Sequence, residues 1–399
     1  PATSRGAGTP AARRHRRRPM KRFFVLWISL SLCLLAACKQ ELPVQAEPAV
    51  VYPFEAVAAS AAATPAPSPM PAPEPQPVSI TIGAVGDIMV VSQHIAAALD
   101  EETGDYDFSF SFPAVSAMFN AVDIMCGNLE GALPGKDVDR YSSRQIAPYG
   151  VMRFGAPDAF AQALADAGFN FMSTANNHAA DYGAAGMINT MNVLDEHGLY
   201  HTGTFRSAEA RKKPCVIEVN GIRIGFVATT AMFNEGPGIT ERERNDMLSR
   251  IQFFDLIVED IENCKAAGAE FIIMFAHWDT EYVTKTANGT KIYARRFMEA
   301  GVDAIFGAHP HVAQPMAYET VTRPDGSEHT GFVAYSLGNF YTNANFEQSC
   351  GLYVQLEITK AADGKVSLTD ASYMPTYCLD RYYEEVKYHQ MVPALMEAS

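Results

Sequence analysis

Six side chains of the kinds that bind divalent cations fall in five short clusters. Asp87 stands in Val85-Gly86-Asp87, Glu130 in Gly127-Asn128-Leu129-Glu130, Asn177 in Asn176-Asn177-His178, and His277 in His277-Trp278; His309 and His311 share Gly307-Ala308-His309-Pro310-His311. Carboxylate, amide oxygen and imidazole together, without thiolate, suit Mn, Zn or Fe and speak against a structural zinc or an iron–sulfur centre. Six ligands exceed what one tetrahedral ion needs. Two ions about 3.5–4 Å apart would use them and would activate water for in-line attack on a phosphate ester; one ion is the alternative. In an extended segment residues two apart point the same way, so His309 and His311 are expected to act as a pair. His178 directly follows Asn177, so the two side chains diverge. With Asn177 on metal, His178 faces substrate as a general acid, and Asp181 is placed to orient its imidazole. The competing reading makes Asn176 and His178 caps of a helix starting near Ala184. Asn128, Asn176, Trp278, Glu281, Tyr282 and Asn339 form a further set that contacts substrate or stands behind the ligands. Plain packing competes for Trp278, a solvated charge for Glu281 and a turn for Asn339.

Elements that could hold these clusters alternate along the chain. Strands are expected at 78–85, 123–126, 169–174, 271–275, 303–306, 331–337 and 351–359, with more strand to about Tyr373 after a turn at Asp363-Gly364. Helices are expected at 92–99, 157–167, 184–197, 251–267 and 291–300. Strands at 215–219 and 223–229 flank Asn220-Gly221, a strong hairpin signal. This is an α/β chain with antiparallel additions, read as one domain over 78–399, and no internal repeat is evident. Each cluster follows an apolar strand, and open α/β sheets bind ligands beyond the carboxyl ends of their strands.

The front of the chain is different in kind. Residues 1–38 hold eight basic and no acidic residues, which leaves 23 basic against 45 acidic beyond them, a charge of −22 against −14 for the whole chain. Such an acidic body argues against nucleic acid as a partner, because that affinity comes from Lys and Arg neutralising phosphate. Met20-Lys21-Arg22 and the uncharged, mostly apolar run to Ala37 read as a secretory signal, too short to span a bilayer. Leu35-Ala36-Ala37-Cys38 resembles a bacterial lipobox, so cleavage before Cys38 and its lipidation are expected, with an ordinary signal peptide as the alternative; residues 1–19 read as an upstream extension. Residues 38–77 carry ten of the 24 prolines, which makes them an extended linker. Cys126, Cys215, Cys264, Cys350 and Cys378 are odd in number, lack metal-type spacing, and are read as structural.

Taken in order, Gly86-Asp87, Gly127 to Glu130, Asn176-Asn177-His178 with Asp181 and Gly183, His277-Trp278 with Glu281-Tyr282, His309 to Val312, and Tyr335 to Phe340 resemble the bacterial capsule-synthesis protein CapA family. That family is associated with poly-gamma-glutamate synthesis and is similar to the calcineurin-like metallophosphoesterases. The resemblance covers about residues 80–345 and implies a four-layer α/β/β/α sandwich with its site at one sheet edge. Three positions depart from the pattern. The superfamily opens with Asp-x-His, where this chain has only Asp87; the family has Gly where Asp279 stands, and His where Ala308 stands. The resemblance implies an envelope lipoprotein that serves the synthesis, export or anchoring of an anionic capsular polymer, alongside capsule-synthase membrane proteins and with a divalent metal. A metal-dependent phosphoesterase acting on an exported phosphorylated small molecule, and a metal-free binding module, are the alternatives.

Overall fold

The computed structural model describes residues 76–138, 141–146, 151–343, 347–383 and 386–394. The expected signal 1–37, Cys38 and nearly all of the linker 38–77 lie outside the described residues. Among those described, no helix is long and apolar enough to cross a membrane.

Two mixed sheets stack face to face with helices on both outer sides, a four-layer α/β/β/α sandwich. In the first sheet Val78–Ile88, Ile124–Leu129, Phe171–Ser173 and Tyr200–Thr202 run parallel in that order. Cys350–Lys360, Val366–Tyr383 and Val386–Pro393 extend it antiparallel beyond Val78–Ile88. The short strand Asn339–Tyr341 pairs with the end of Val78–Ile88, Asp87 opposite Asn339. The second sheet has four parallel strands, Ile222–Thr230, Phe271–His277, Ala304–Ala308 and Glu328–Ala334, with Cys215–Val219 and Met316–Thr322 antiparallel at its edges.

The period of two along Val78–Ile88 decides what each face buries. Ile80, Ile82 and Ala84 meet Phe226, Phe275 and Phe306 of the second sheet, whereas Val85, and Ile88 beyond a register shift after Asp87, pack under the outer helices. Helices Ser92–Ala98, Pro113–Phe119 and Ala159–Ala167 cover the first sheet, and Phe254–Ala266 and Asn288–Ala300 cover the second through Ile257, Ile261, Phe297 and Met298. Asn220 and Gly221 both adopt positive φ, as a type I′ hairpin requires. Several elements were not expected. Tyr200–Thr202 and Asn339–Tyr341 are three residues long, too short to display a period, and Met316–Thr322 is a half-exposed edge strand.

Between the sheets, the backbone from Tyr335 to Gly338 passes so close to two strands that neither tolerates a side chain. A Cβ on Gly86 would lie 1.9 Å from the Gly338 carbonyl oxygen, and one on Gly307 would lie 1.9 Å from that of Tyr335. Gly86→Ala is therefore expected to destabilise the protein by about 2–3 kcal/mol. Gly289→Ala, in open space on a helix, should instead stabilise it by about 0.4–1 kcal/mol. Denaturant midpoints of the two variants check the contrast.

Candidate metal centre

The carboxyl ends of five parallel strands, three from the first sheet and two from the second, meet at one end of the seam. Asp87 lies on Val78–Ile88, Asn128 on Ile124–Leu129 with Glu130 just past it, and Asn177 follows Phe171–Ser173. His277 is the last residue of Phe271–His277, and His309 and His311 follow Ala304–Ala308. All six expected ligands are buried.

Their contacts interlock. Asn128 Nδ2 donates to Asp87 Oδ1 at 2.8 Å, and the His309 N–H donates to Asp87 Oδ2 at 3.1 Å. His277 Nε2 lies 2.9 Å from Asn177 Oδ1, while its Nδ1 faces Asn128 Nδ2 at 3.3 Å. His311 Nδ1 is 3.1 Å from Asp87 Oδ2 and 2.9 Å from Asn339 Oδ1. Asn339 in turn donates to the Gln348 carbonyl at 2.7 Å, so it stands behind His311 rather than forming a turn.

Glu130 breaks this pattern. It is 1% exposed, and neither carboxylate oxygen accepts a hydrogen bond, the imidazoles of His277 and His311 standing off at 3.7 and 3.8 Å. Asn128 Oδ1 and His309 Nδ1 are likewise buried and unpartnered. A buried carboxylate without partners is costly, and burial with the neighbouring Asp87 holds Glu130 well above the usual carboxylate range. The site draws positive charge: burial opposes the charged form of His311, yet Glu130 and Asp87 raise it to about 10. Burial and the neighbouring imidazoles push His309 down to about 4 and His277 well below its usual range, which leaves both neutral, the form that ligates metal. Glu130, His309 and His311 form one set whose donor atoms lie within 4.8 Å of one another, and Asp87, Glu130 and His277 form another. Unpartnered oxygen and nitrogen donors around shared Glu130 fit a divalent cation.

The sequence expectation placed His309 and His311 on an extended segment, and there the structure differs. The segment is not extended: His309 has φ 94° and His311 φ 57°. Left-handed backbone at non-glycine residues stores strain and gathers at functional sites. Of the five such residues among those described, four, Asp279, Tyr282, His309 and His311, surround this centre. Turning His309 this way aims its N–H at Asp87.

Beside the ligands, His178 Nδ1 meets Asp181 Oδ2 at 2.8 Å, and the same oxygen accepts the Phe154 N–H at 2.7 Å. The Phe154 ring packs against the imidazole at 4.4 Å. His178 thus has a fixed orientation. It lines a cleft of about 370 Å³ together with Asn177, His311, Glu281, Tyr282 and Asn234. Asn176 Nδ2 holds the Leu129 carbonyl and its Oδ1 accepts the His178 N–H. Neither residue caps the following helix, which begins at Gly183 after Tyr182 without a side-chain cap.

Trp278 is a correction. At 2% exposure it has no face for substrate: its ring packs with Phe297 and Tyr335, and its Nε1 donates to the Tyr335 carbonyl. Glu281 and Tyr282 sit at the rim, Tyr282 55% exposed with its ring 5.8 Å from that of His311. Asp279, the additional carboxylate, accepts the Thr280 and Ala287 N–H groups ahead of helix Asn288–Ala300. Sequence reasoning missed Asn234, whose N–H donates to the Asn177 carbonyl. It follows the carboxyl end of Ile222–Thr230, a position the strand-end rule would have flagged.

The family model for bacterial capsule synthesis protein PGA_cap matches residues 81–344, the stretch that contains every residue of this centre. Capsule biosynthesis protein CapA of Bacillus anthracis is 29% identical over 264 residues, 65% of this chain and 59% of that protein. PGA biosynthesis protein CapA of Bacillus subtilis (strain 168) is 24% identical over 287 residues, 71% of this chain and 69% of that protein. The chain therefore spans less than two thirds of the first of these. A solved structure of Haemophilus influenzae NAD nucleotidase (NadN) aligns with TM-score 0.41 at 11% identity, over 76% of this chain and 59% of that one. At that score the likeness supports no further argument.

A cation that binds only the folded state stabilises it by about 2.7 kcal/mol at a hundredfold excess over its dissociation constant. Manganese is accordingly expected to raise the melting temperature of the wild type, and Glu130→Ala to remove most of that rise. Thermal scans with and without metal after chelator treatment measure both.

Proposed function

The chain belongs to the bacterial capsule synthesis protein PGA_cap family, and on that premise we propose that it serves the synthesis, export or anchoring of an anionic capsular polymer, such as poly-gamma-glutamate, at the cell envelope. The observation that carries this reading is that the family match falls on the residues that build the centre. Asp87, Glu130, Asn177, His277, His309 and His311 are assigned to one or two divalent ions, with Mn, Zn or Fe favoured by the mixed oxygen and nitrogen donors. Held by these residues, such an ion would supply Lewis-acid chemistry toward a carbonyl or phosphoryl oxygen of a substrate.

The protein's own residues divide the remaining work. Asp181 holds His178 Nδ1, which leaves Nε2 as the position where a proton is given or taken. Phe154 shields one side of that ring. With a body charge of −22, reception of a polyanion depends on cations held at the cleft. Lipidation at Cys38 and the Pro-rich linker would tether the domain near capsule-synthase membrane proteins. The fixed His178–Asp181 pair favours a second reading, a metal-dependent phosphoesterase acting on an exported substrate, because a pure binding site has no use for an oriented proton donor.

Two substitutions separate these readings. His311→Ala should lower bound metal and every property that depends on it. His178→Ala should leave metal content near wild type while any hydrolytic turnover falls by roughly 10²–10⁴. If the protein binds polymer without cleaving anything, His178→Ala leaves capsule assembly intact and His311→Ala abolishes it. Normal capsule in both variants, with no stoichiometric metal in the wild type, rejects the metal centre and leaves a metal-free binding module. Metal analysis, a phosphodiester screen and capsule staining supply the readouts.

A further inference from the structure

A second cluster of metal-binding side chains lies outside the centre described above. His94 comes from helix Ser92–Ala98, Cys378 from strand Val366–Tyr383 and His389 from strand Val386–Pro393. They are 0%, 4% and 1% exposed, and one donor atom from each lies within 4.8 Å of the other two. Cys378 and His389 fall beyond the stretch matched by the family model.

We propose that Cys378, His94 and His389 form a zinc site that staples the C-terminal hairpin to helix Ser92–Ala98. The first ground is unmet bonding capacity. Nε2 of His94 and Nε2 of His389 are both buried without a partner, and a buried polar nitrogen left that way is costly. The second ground is the outer support of His389. Its Nδ1 lies 2.9 Å from Asp380 Oδ1, so the proton sits on that side and Nε2 presents its lone pair to the cluster. Carboxylate–histidine pairs of this kind orient metal-binding imidazoles. The third ground is donor chemistry, since one thiolate and two imidazoles are a zinc set with one position left open.

The geometry asks for modest change. Donor atoms around a tetrahedral zinc stand about 3.3–3.8 Å apart, given bonds of about 2.0–2.3 Å, so a spread of no more than 4.8 Å closes with side-chain shifts of about 1 Å. His94 also changes tautomer. Its Nδ1 now accepts the Val91 N–H at 3.2 Å; with zinc on Nε2 the ring proton moves to Nδ1 and that bond is given up, while the Thr342 and Met89 carbonyls are both neighbours of this ring. The thiol loses its proton to solvent as the Zn–S bond forms. Loading should therefore release a proton and tighten as pH rises.

Cobalt(II) tests the site, because thiolate ligation gives a charge-transfer band that oxygen and nitrogen donors do not. The full-length protein, stripped with chelator under reducing conditions and titrated with cobalt(II), should develop this band and then lose it when zinc is added. Cys378→Ser should abolish the band, and His389→Gln should weaken its cobalt affinity at least tenfold. His311→Ala, which acts on the other centre, should leave the band in place, so failure here is distinct from failure of the proposed function. Should Cys378→Ser fail to fold, zinc protection of Cys378 from alkylation in the wild type, read by mass spectrometry, takes its place. Absence of a thiolate band in the wild type, a band that survives Cys378→Ser, or alkylation unaffected by zinc overturns the proposal.

Discussion

The centre depends on the burial of two carboxylates, Asp87 and Glu130, where two sheets close on each other. Removing a carboxylate from water costs several kcal/mol even after the protein relaxes, and the fold meets that cost unequally. Asp87 receives an amide, a backbone N–H and an imidazole. Glu130 receives no N–H or O–H donor. Other features of the site follow from this imbalance: the raised pKa of His311, the left-handed turns that bring His309 and His311 inward, and the amides that hold His277 from both sides. The protein keeps a local electrostatic imbalance at Glu130 that its own hydrogen bonds do not offset.

Much of this was legible because the fold writes its site at strand ends. An apolar run followed at once by Asp, Asn, Glu or His identifies a carboxyl end without any knowledge of which strands are neighbours. Chain direction also separated Asn177 from His178, and Asp181 was near enough in sequence to be assigned to His178. What sequence could not supply was backbone conformation after the strands, so the local geometry of His309 and His311 was misread. Trp278 shows the same limit, since its position beside His277 says nothing about which way the ring turns. Other signals were present and went unread. Thr240 and Glu243 form a capping box on helix Glu241–Met247, and Pro324-Asp325-Gly326 marks the turn between Met316–Thr322 and Glu328–Ala334. The Cys378 cluster was beyond reach, because His94 lies far along the chain from Cys378 and His389 and no short spacing announces the three.

The strand Asn339–Tyr341 ties the two regions together. Asn339 holds His311 at the centre, while Tyr341 stacks on His94 at 4.2 Å and its hydroxyl pairs with that of Ser111 at 2.8 Å. Three residues thus form the wall between a polar, cleft-facing site and an enclosed one. The C-terminal hairpin buttresses that wall although it lies outside the matched family stretch.

One consequence of the sheet order concerns time rather than shape. Val78–Ile88, which carries Asp87, lies between Ile124–Leu129 and Cys350–Lys360. Its parallel neighbour follows within one helical crossover, but its antiparallel neighbour comes almost at the end of the domain. Long-range pairing of this kind slows folding, because the entropy of closing the loop is lost before the contact forms. During synthesis the strand Val78–Ile88 must wait with one edge unpaired until Cys350–Lys360 has emerged. The chain cannot complete its first sheet early, so the closing of the seam, and with it the assembly of the centre, waits on strands that come late in the chain.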